Sequence, residues 1–257
     1  MSRLRWVLAA VVLALASNAS AAPIMYVHDS DGTLGKVDVA TGTVQVVGEM
    51  PQTMTDIAFD PSGNLYGVTF GALYSINSST AATTLIGNLS FTANALVFGT
   101  DGTLYGAGLS PNLFTINPAT GASSVVGNMG FSSGGDLAFN GGNFYLASSS
   151  SQLVQVNPAT GAGMLIGNFG VGSVFGLATG DDGILRAVAG TNVYTVNTAT
   201  GAATNPVNYA GTALGVAFGQ SFVTEAGAPA VPEPSALVLL SLGTAAAGWA
   251  RRRRSVR

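Results

Sequence analysis

Few side chains in this chain could do chemistry. His28 is the single histidine, so any nucleophile–histidine pair would need it as base. It stands in Val27-His28-Asp29-Ser30-Asp31-Gly32, next to a turn, and is expected to be a surface loop histidine. Cysteine is absent, which excludes disulfides, thiolate metal sites and thiol catalysis. The chain has three glutamates, Glu49, Glu225 and Glu233. A hard-cation site would therefore fall to Asp56 and Asp136, with Asn94 as a neutral third ligand. The alternative is that each Asp caps a turn. Asp29-Ser30-Asp31-Gly32 is similar to the first part of a calcium loop but lacks the later ligands and the closing Glu. Asp101-Gly102 and Asp181-Asp182-Gly183 read more simply as turn formers. Calcium is the one cofactor left open, and no catalytic set is expected.

The elements that would carry these residues are legible from a repeat. Val37-Asp38-Val39-Ala40-Thr41-Gly42 recurs as Ile76-Asn77-Ser78-Ser79-Thr80-Ala81 and as Ile116-Asn117-Pro118-Ala119-Thr120-Gly121. It returns as Val156-Asn157-Pro158-Ala159-Thr160-Gly161 and Val196-Asn197-Thr198-Ala199-Thr200-Gly201. Closing positions 42, 81, 121, 161 and 201 lie 39 or 40 residues apart, a period of solenoids and propellers. Each unit holds four short β-type runs; in the second they are Asp56–Phe59, Leu65–Thr69, Leu73–Asn77 and Thr83–Ile86. Run length, β-branched and aromatic content and frequent glycine favour strands, and four strands per unit make one propeller blade. The pairs Gly87-Asn88, Gly127-Asn128 and Gly167-Asn168 are expected to turn the chain onto the next blade.

The units begin on a second strand, Ile24–Val27, and end on a first strand, Gly215–Phe218. Pairing these two closes a ring and removes two sheet edges at once. The expectation is an all-β, five-bladed β-propeller of four-stranded blades, closed by the C-terminal strand and followed by a short C-terminal transmembrane helix. The pattern resembles the broad class of YVTN- and NHL-like propellers. Phe91, Phe131 and Phe169 fall between a fourth strand and the next innermost strand; they either pack between blades or stand on one rim to stack on sugars. Phe70 and Phe175 are further surface aromatics by this reading.

Both ends carry addresses. Arg3 and Arg5, an apolar run Trp6–Ala16 and small residues at Ala19-Ser20-Ala21-Ala22 read as a secretory signal peptide over residues 1–22. The propeller is expected over 23–224 and a linker over 225–234. An apolar span covers 235–250 (Ser235–Ala250) and a basic tail 251–257. Sixteen helical residues rise roughly 24 Å, short of a ~30 Å hydrocarbon core. Arg251, Arg252, Arg253 and Arg254 act as a stop-transfer cluster that keeps that end cytoplasmic.

Val231, Pro232, Glu233 and Pro234, followed by that span and that cluster, closely resemble the PEP-CTERM sorting tail. The resemblance implies an exosortase substrate, held in the inner membrane until a membrane-embedded protease processes it. It also implies a link to exopolysaccharide and biofilm. Signal peptidase and exosortase are thus the expected partners, with exopolysaccharide as the ligand class. The expected location is the inner membrane before processing, then the cell surface or extracellular matrix. Between the two ends stand Lys36 and Arg186 against eleven acidic residues, a formal charge of −9 that repels nucleic acid. The leading reading is a non-enzymatic binding or structural protein. The competing readings are a channel-metal hydrolase of a polysaccharide or lactone, and an envelope scaffold for other proteins.

Overall fold

The computed structural model describes residues 23–227. The expected signal peptide over 1–22, the Val231–Pro234 motif, the apolar span and the arginine cluster lie outside the described residues. Among the described residues no helix is long and apolar enough to cross a membrane.

The chain forms twenty strands in five four-stranded antiparallel sheets. Blade 1 contributes β1 (Ile24–Asp29), β2 (Thr33–Asp38) and β3 (Val44–Glu49). Blade 2 is β4 (Asp56–Phe59), β5 (Leu65–Val68), β6 (Ala72–Ile76) and β7 (Thr83–Asn88). Blade 3 is β8 (Ala93–Phe98), β9 (Leu104–Gly108), β10 (Asn112–Ile116) and β11 (Ser123–Asn128). Blade 4 is β12 (Ser133–Asn140), β13 (Asn143–Ser148), β14 (Gln152–Val156) and β15 (Gly163–Asn168). Blade 5 is β16 (Val174–Thr179), β17 (Leu185–Ala189), β18 (Asn192–Val196) and β19 (Ala203–Asn208). The last strand, β20 (Ala217–Ser221), returns to pair with β1 and supplies the innermost strand of blade 1. Contacts between β4, β8, β12, β16 and β20 run in a closed cycle. The fold is a five-bladed β-propeller.

The closing strand differs in position from the sequence expectation. The repeat places that strand at Gly215–Phe218; the paired segment is Ala217–Ser221, with Tyr26 opposite Ser221 and His28 opposite Gly219. The shift has a local cause. Asp29 Oδ2 accepts a hydrogen bond from the Gly215 N–H at 2.8 Å, so residue 215 caps the β1 turn before pairing starts.

Hydrophobic burial is divided into five wedges, one between each pair of neighbouring blades. Met25, Val27 and Val37 of blade 1 meet Val188, Val193 and Tyr209 at the seam with blade 5. Leu113 and Ala107 of blade 3 meet Leu146 and Val154 of blade 4 in the same manner. Phe91 stacks on Phe114 with ring centroids 3.8 Å apart, Phe131 packs in the wedge between blades 3 and 4, and Phe169 is buried. These three rings therefore pack between blades. Phe70 is exposed, and Phe175 meets Phe218 edge-on at 5.7 Å.

The repeated turn works as its residues require. Asn117 Oδ1 accepts the Ala119 N–H at 2.9 Å, the Gly121 N–H donates to the Asn117 carbonyl at 2.8 Å, and Gly121 adopts φ 75°. The Gly-Asn pairs do something other than expected. Gly87-Asn88, Gly127-Asn128 and Gly167-Asn168 are the last two residues of their outer strands, before any turn. The glycine is required because a Cβ at 87, 127 or 167 would strike the Thr120, Thr160 or Thr200 carbonyl of the next blade's turn. The repeat thus encodes the blade-to-blade contact as well as the blade.

Candidate functional site: the propeller hub

Strand register defines one hub position per blade. It is Asp56 opposite Val68, Ala95 opposite Ala107, Asp136 opposite Ala147, Gly176 opposite Val188 and Gly219 opposite His28. Small residues in blades 1, 3 and 5 leave room for two carboxyl groups from blades 2 and 4. The structure does bring Asp56 and Asp136 together, and both are fully buried.

Each carboxyl group accepts two backbone amides, one from its own blade and one from the next. Asp56 Oδ1 accepts the Ile57 N–H at 2.8 Å and Oδ2 the Leu96 N–H of the next blade at 2.6 Å. Asp136 repeats this with Leu137 at 2.6 Å and Leu177 of blade 5 at 2.6 Å. The two carboxyl groups are close enough for the charge of one to act on the other. Two buried carboxylates so placed repel, which favours the protonated form. Burial first, and for Asp136 the neighbouring Asp56 charge next, raise both groups well above the ordinary carboxylate range.

Glu225 is the third acid at the hub, and sequence reasoning missed it. It was placed at the head of the linker, yet it is fully buried. After β20 the chain turns through residues 222–227, with Phe222, Val223 and Ala226 packed into three different wedges. This turn lies across the end of the ring where the inner strands finish. Glu225 Oε1 accepts the Thr179 N–H at 3.3 Å and Oε2 accepts the Ser221 hydroxyl at 3.2 Å. Burial pushes its pKa up to about 8. Its charge also bears on Asp56 and Asp136. A sequence signal existed: Phe222 and Ala226 are apolar positions continuing past the last strand.

His28 corrects the expectation of a surface loop histidine. It is the penultimate residue of β1 and is fully buried, with neither ring nitrogen bonded to the protein. It points toward Gly219, where an added Cβ would lie 2.5 Å from Asp56 Oδ1 and 2.6 Å from His28 Nε2. Burial lowers its pKa to about 4, so it is neutral at physiological pH. Gln220, also missed, donates to the Arg186 carbonyl at 2.8 Å while its Oε1 has no partner.

The turn acids form turns. Asp29 Oδ1 accepts from Asp31 and Thr33 N–H groups, Asp101 Oδ1 accepts from Thr103, and Asp182 accepts from Ile184 and pairs with Arg186. Asn94 Nδ2 donates to the Ser133 carbonyl at 3.3 Å, and its Oδ1 is unpartnered. Among the described residues no group of three His, Cys, Asp or Glu side chains is arranged to hold a metal ion.

Fold and hub together define a closed propeller with a proton-holding polar centre. Residues 230–254 match the PEP-CTERM protein-sorting motif, so the chain carries an exosortase sorting signal on a propeller body and is an exported protein. No curated protein matches the sequence. Among solved structures the chain is similar to a symmetrical protein of de novo evolutionary emergence. The identity is 18%, the TM-score 0.51, and the match covers 77% of this chain and 93% of that one. It is also similar to a protein of unknown function from Bacteroides thetaiotaomicron VPI-5482, at 14% identity and TM-score 0.52, over 81% and 66% of the two chains. A third similarity is to a chain of a nidogen–laminin complex, at 10% identity and TM-score 0.54, over 78% and 98%. At these identities the likeness is one of fold.

Proposed function

We propose that this chain is a non-enzymatic propeller which exosortase delivers to the cell surface or extracellular matrix, where it engages exopolysaccharide. Signal peptidase releases its N-terminus during export, and the C-terminal span holds it in the inner membrane until processing. The observation that carries the non-enzymatic part is the state of Asp56 and Asp136. Four backbone amides hold the two carboxyl groups in place, and burial favours their protonated, uncharged form, a poor ligand for a hard cation. The 222–227 turn fills one end of the ring as well. The exopolysaccharide part rests on the sorting motif.

The test uses the full chain purified in detergent and offered a panel of lactones and glycans with and without a chelator. The reading predicts no hydrolysis in either condition and retention of the chain by polysaccharide. Turnover that chelation abolishes would contradict it.

A further inference from the structure

We propose that a cleft on blade 4 holds one sugar ring of a neutral polysaccharide through the paired amides of Asn143 and Gln155; this rests on the polysaccharide reading above. The cleft has a volume of about 270 Å³ and lies beside the Gly141-Gly142 turn, bounded by Pro158 and Met164. That is near the lower bound of small-ligand sites, roughly 300 Å³, and suits a single ring of a chain that continues into solvent.

Blade 4 departs from the repeat at Gly142, Gln155 and Met164 of the cleft, while Asn143 has an equivalent in Asn64 of blade 2 and Val156, Asn157, Pro158 and Ala162 follow the repeat. The register places Gln155 opposite Tyr145, where the other blades carry Lys36, Ser75, Thr115 and Thr195. It places Met164 opposite Gln155, where the others carry Gln45, Thr84, Ser124 and Thr204. Met164 is 58% exposed, an apolar side chain where four equivalents are polar. The hairpin differs too. Asp60, Asp101 and Asp182 fill the corresponding turns of blades 2, 3 and 5 by accepting backbone N–H groups. Blade 4 instead turns on Gly141 and Gly142, with φ 55° and 81°, and extends pairing to Asn140 opposite Asn143. The other four blades are built without the Gln155 and Met164 substitutions, so these two answer to something other than the fold.

The chemistry left in the cleft is specific. Gln155 Nε2 donates to Asn143 Oδ1 at 2.9 Å. That leaves Asn143 Nδ2 to donate and Gln155 Oε1 to accept, side by side, which matches two hydroxyls on adjacent sugar carbons. Met164 and Pro158 offer apolar surface to the C–H face of the ring. No charged side chain lines the cleft, and the surrounding body is acidic, so an anionic sugar is disfavoured.

Affinity electrophoresis of the full chain in detergent micelles tests this, with dextran, a β-glucan, a galactomannan and the anionic polymer alginate in separate gels. Variants Gln155→Thr and Met164→Ser introduce blade 3's own residues, and Thr115→Ala is the control; melting temperatures verify folding. Retardation of the wild type by at least one neutral polymer and not by alginate is expected. Gln155→Thr should weaken it roughly three- to tenfold, and Thr115→Ala should not. If the folded variants bind as the wild type does, or only alginate retards the chain, the cleft assignment falls while the polysaccharide reading stands. If no polymer retards the wild type, both fall.

Discussion

Asp56 and Asp136 are buried side by side at the propeller hub, and each accepts two backbone N–H groups from two blades. Through these amides the pair ties together blades 2, 3, 4 and 5. It works as a polar clasp at the point where five apolar wedges leave a gap.

Removing half of the clasp should therefore be costly. Asp136→Ala leaves the Leu137 and Leu177 amides unpaired. A loss of about 3 kcal/mol is expected from such buried unpaired groups, read by denaturant unfolding. An unchanged midpoint would show that the hub is not a structural clasp.

His28 predicts the opposite sign. Both its ring nitrogens are buried without protein partners. His28→Leu should be neutral or stabilising, within about 1 kcal/mol, because it removes an unpaid desolvation and keeps the volume. A loss comparable to that of Asp136→Ala would mean that the imidazole carries a bond of its own.

Stability should fall as pH rises above 6.5. Glu225 ionises at about 8 when folded and at 4.5 when unfolded, so between these values the folded state holds a proton that the unfolded chain releases. The Glu225 contribution is full below 4.5 and is lost toward 8. His28 acts against this only lower down, where the unfolded chain takes up a proton below 6.5 that the folded state refuses until about 4. Thermal melts from pH 6.5 to about 8 should show a falling midpoint, and Glu225→Gln should show a smaller fall. Parallel curves for the two proteins would exclude Glu225 as the responsible group.

The blade seams give a steric prediction. Gly127→Ala would drive a methyl group into the Thr160 carbonyl, and should cost about 1–3 kcal/mol. Gly71→Ala meets nothing within 4 Å at an ordinary φ and should change little. Equal effects would argue against the Gly–Thr contact as the determinant of blade spacing.

How much of this was legible follows from what the repeat encodes. Period, blade number and ring closure follow from turn chemistry in Asn117-Pro118-Ala119-Thr120-Gly121 and its copies, because local φ demands and strand periodicity are sequence properties. Asp56 and Asp136 could be singled out as equivalent acids, but their protonation depends on depth, which pattern alone does not give. His28 looked exposed because Asp29-Ser30-Asp31-Gly32 is a turn; the closing strand 190 residues away covers it. Glu225 was hidden for a similar reason: a polar residue after the last strand reads as linker unless the ring's open end is known to need a plug. The close approach of Gly127 to Thr160 is likewise a contact between repeats, visible only once the blades are stacked.

The account places the chain as an exported propeller whose sorting tail is processed, and intact mass of the mature protein tests that most directly. In a host with an active exosortase, the mature form should lack the apolar span and the arginines, ending near Val231–Pro234 or just inside residues 235–250. Replacing Pro232, Glu233 and Pro234 by alanine should leave it uncut. A surface or secreted form that still ends at Arg257 would contradict the account and leave the tail a simple membrane anchor.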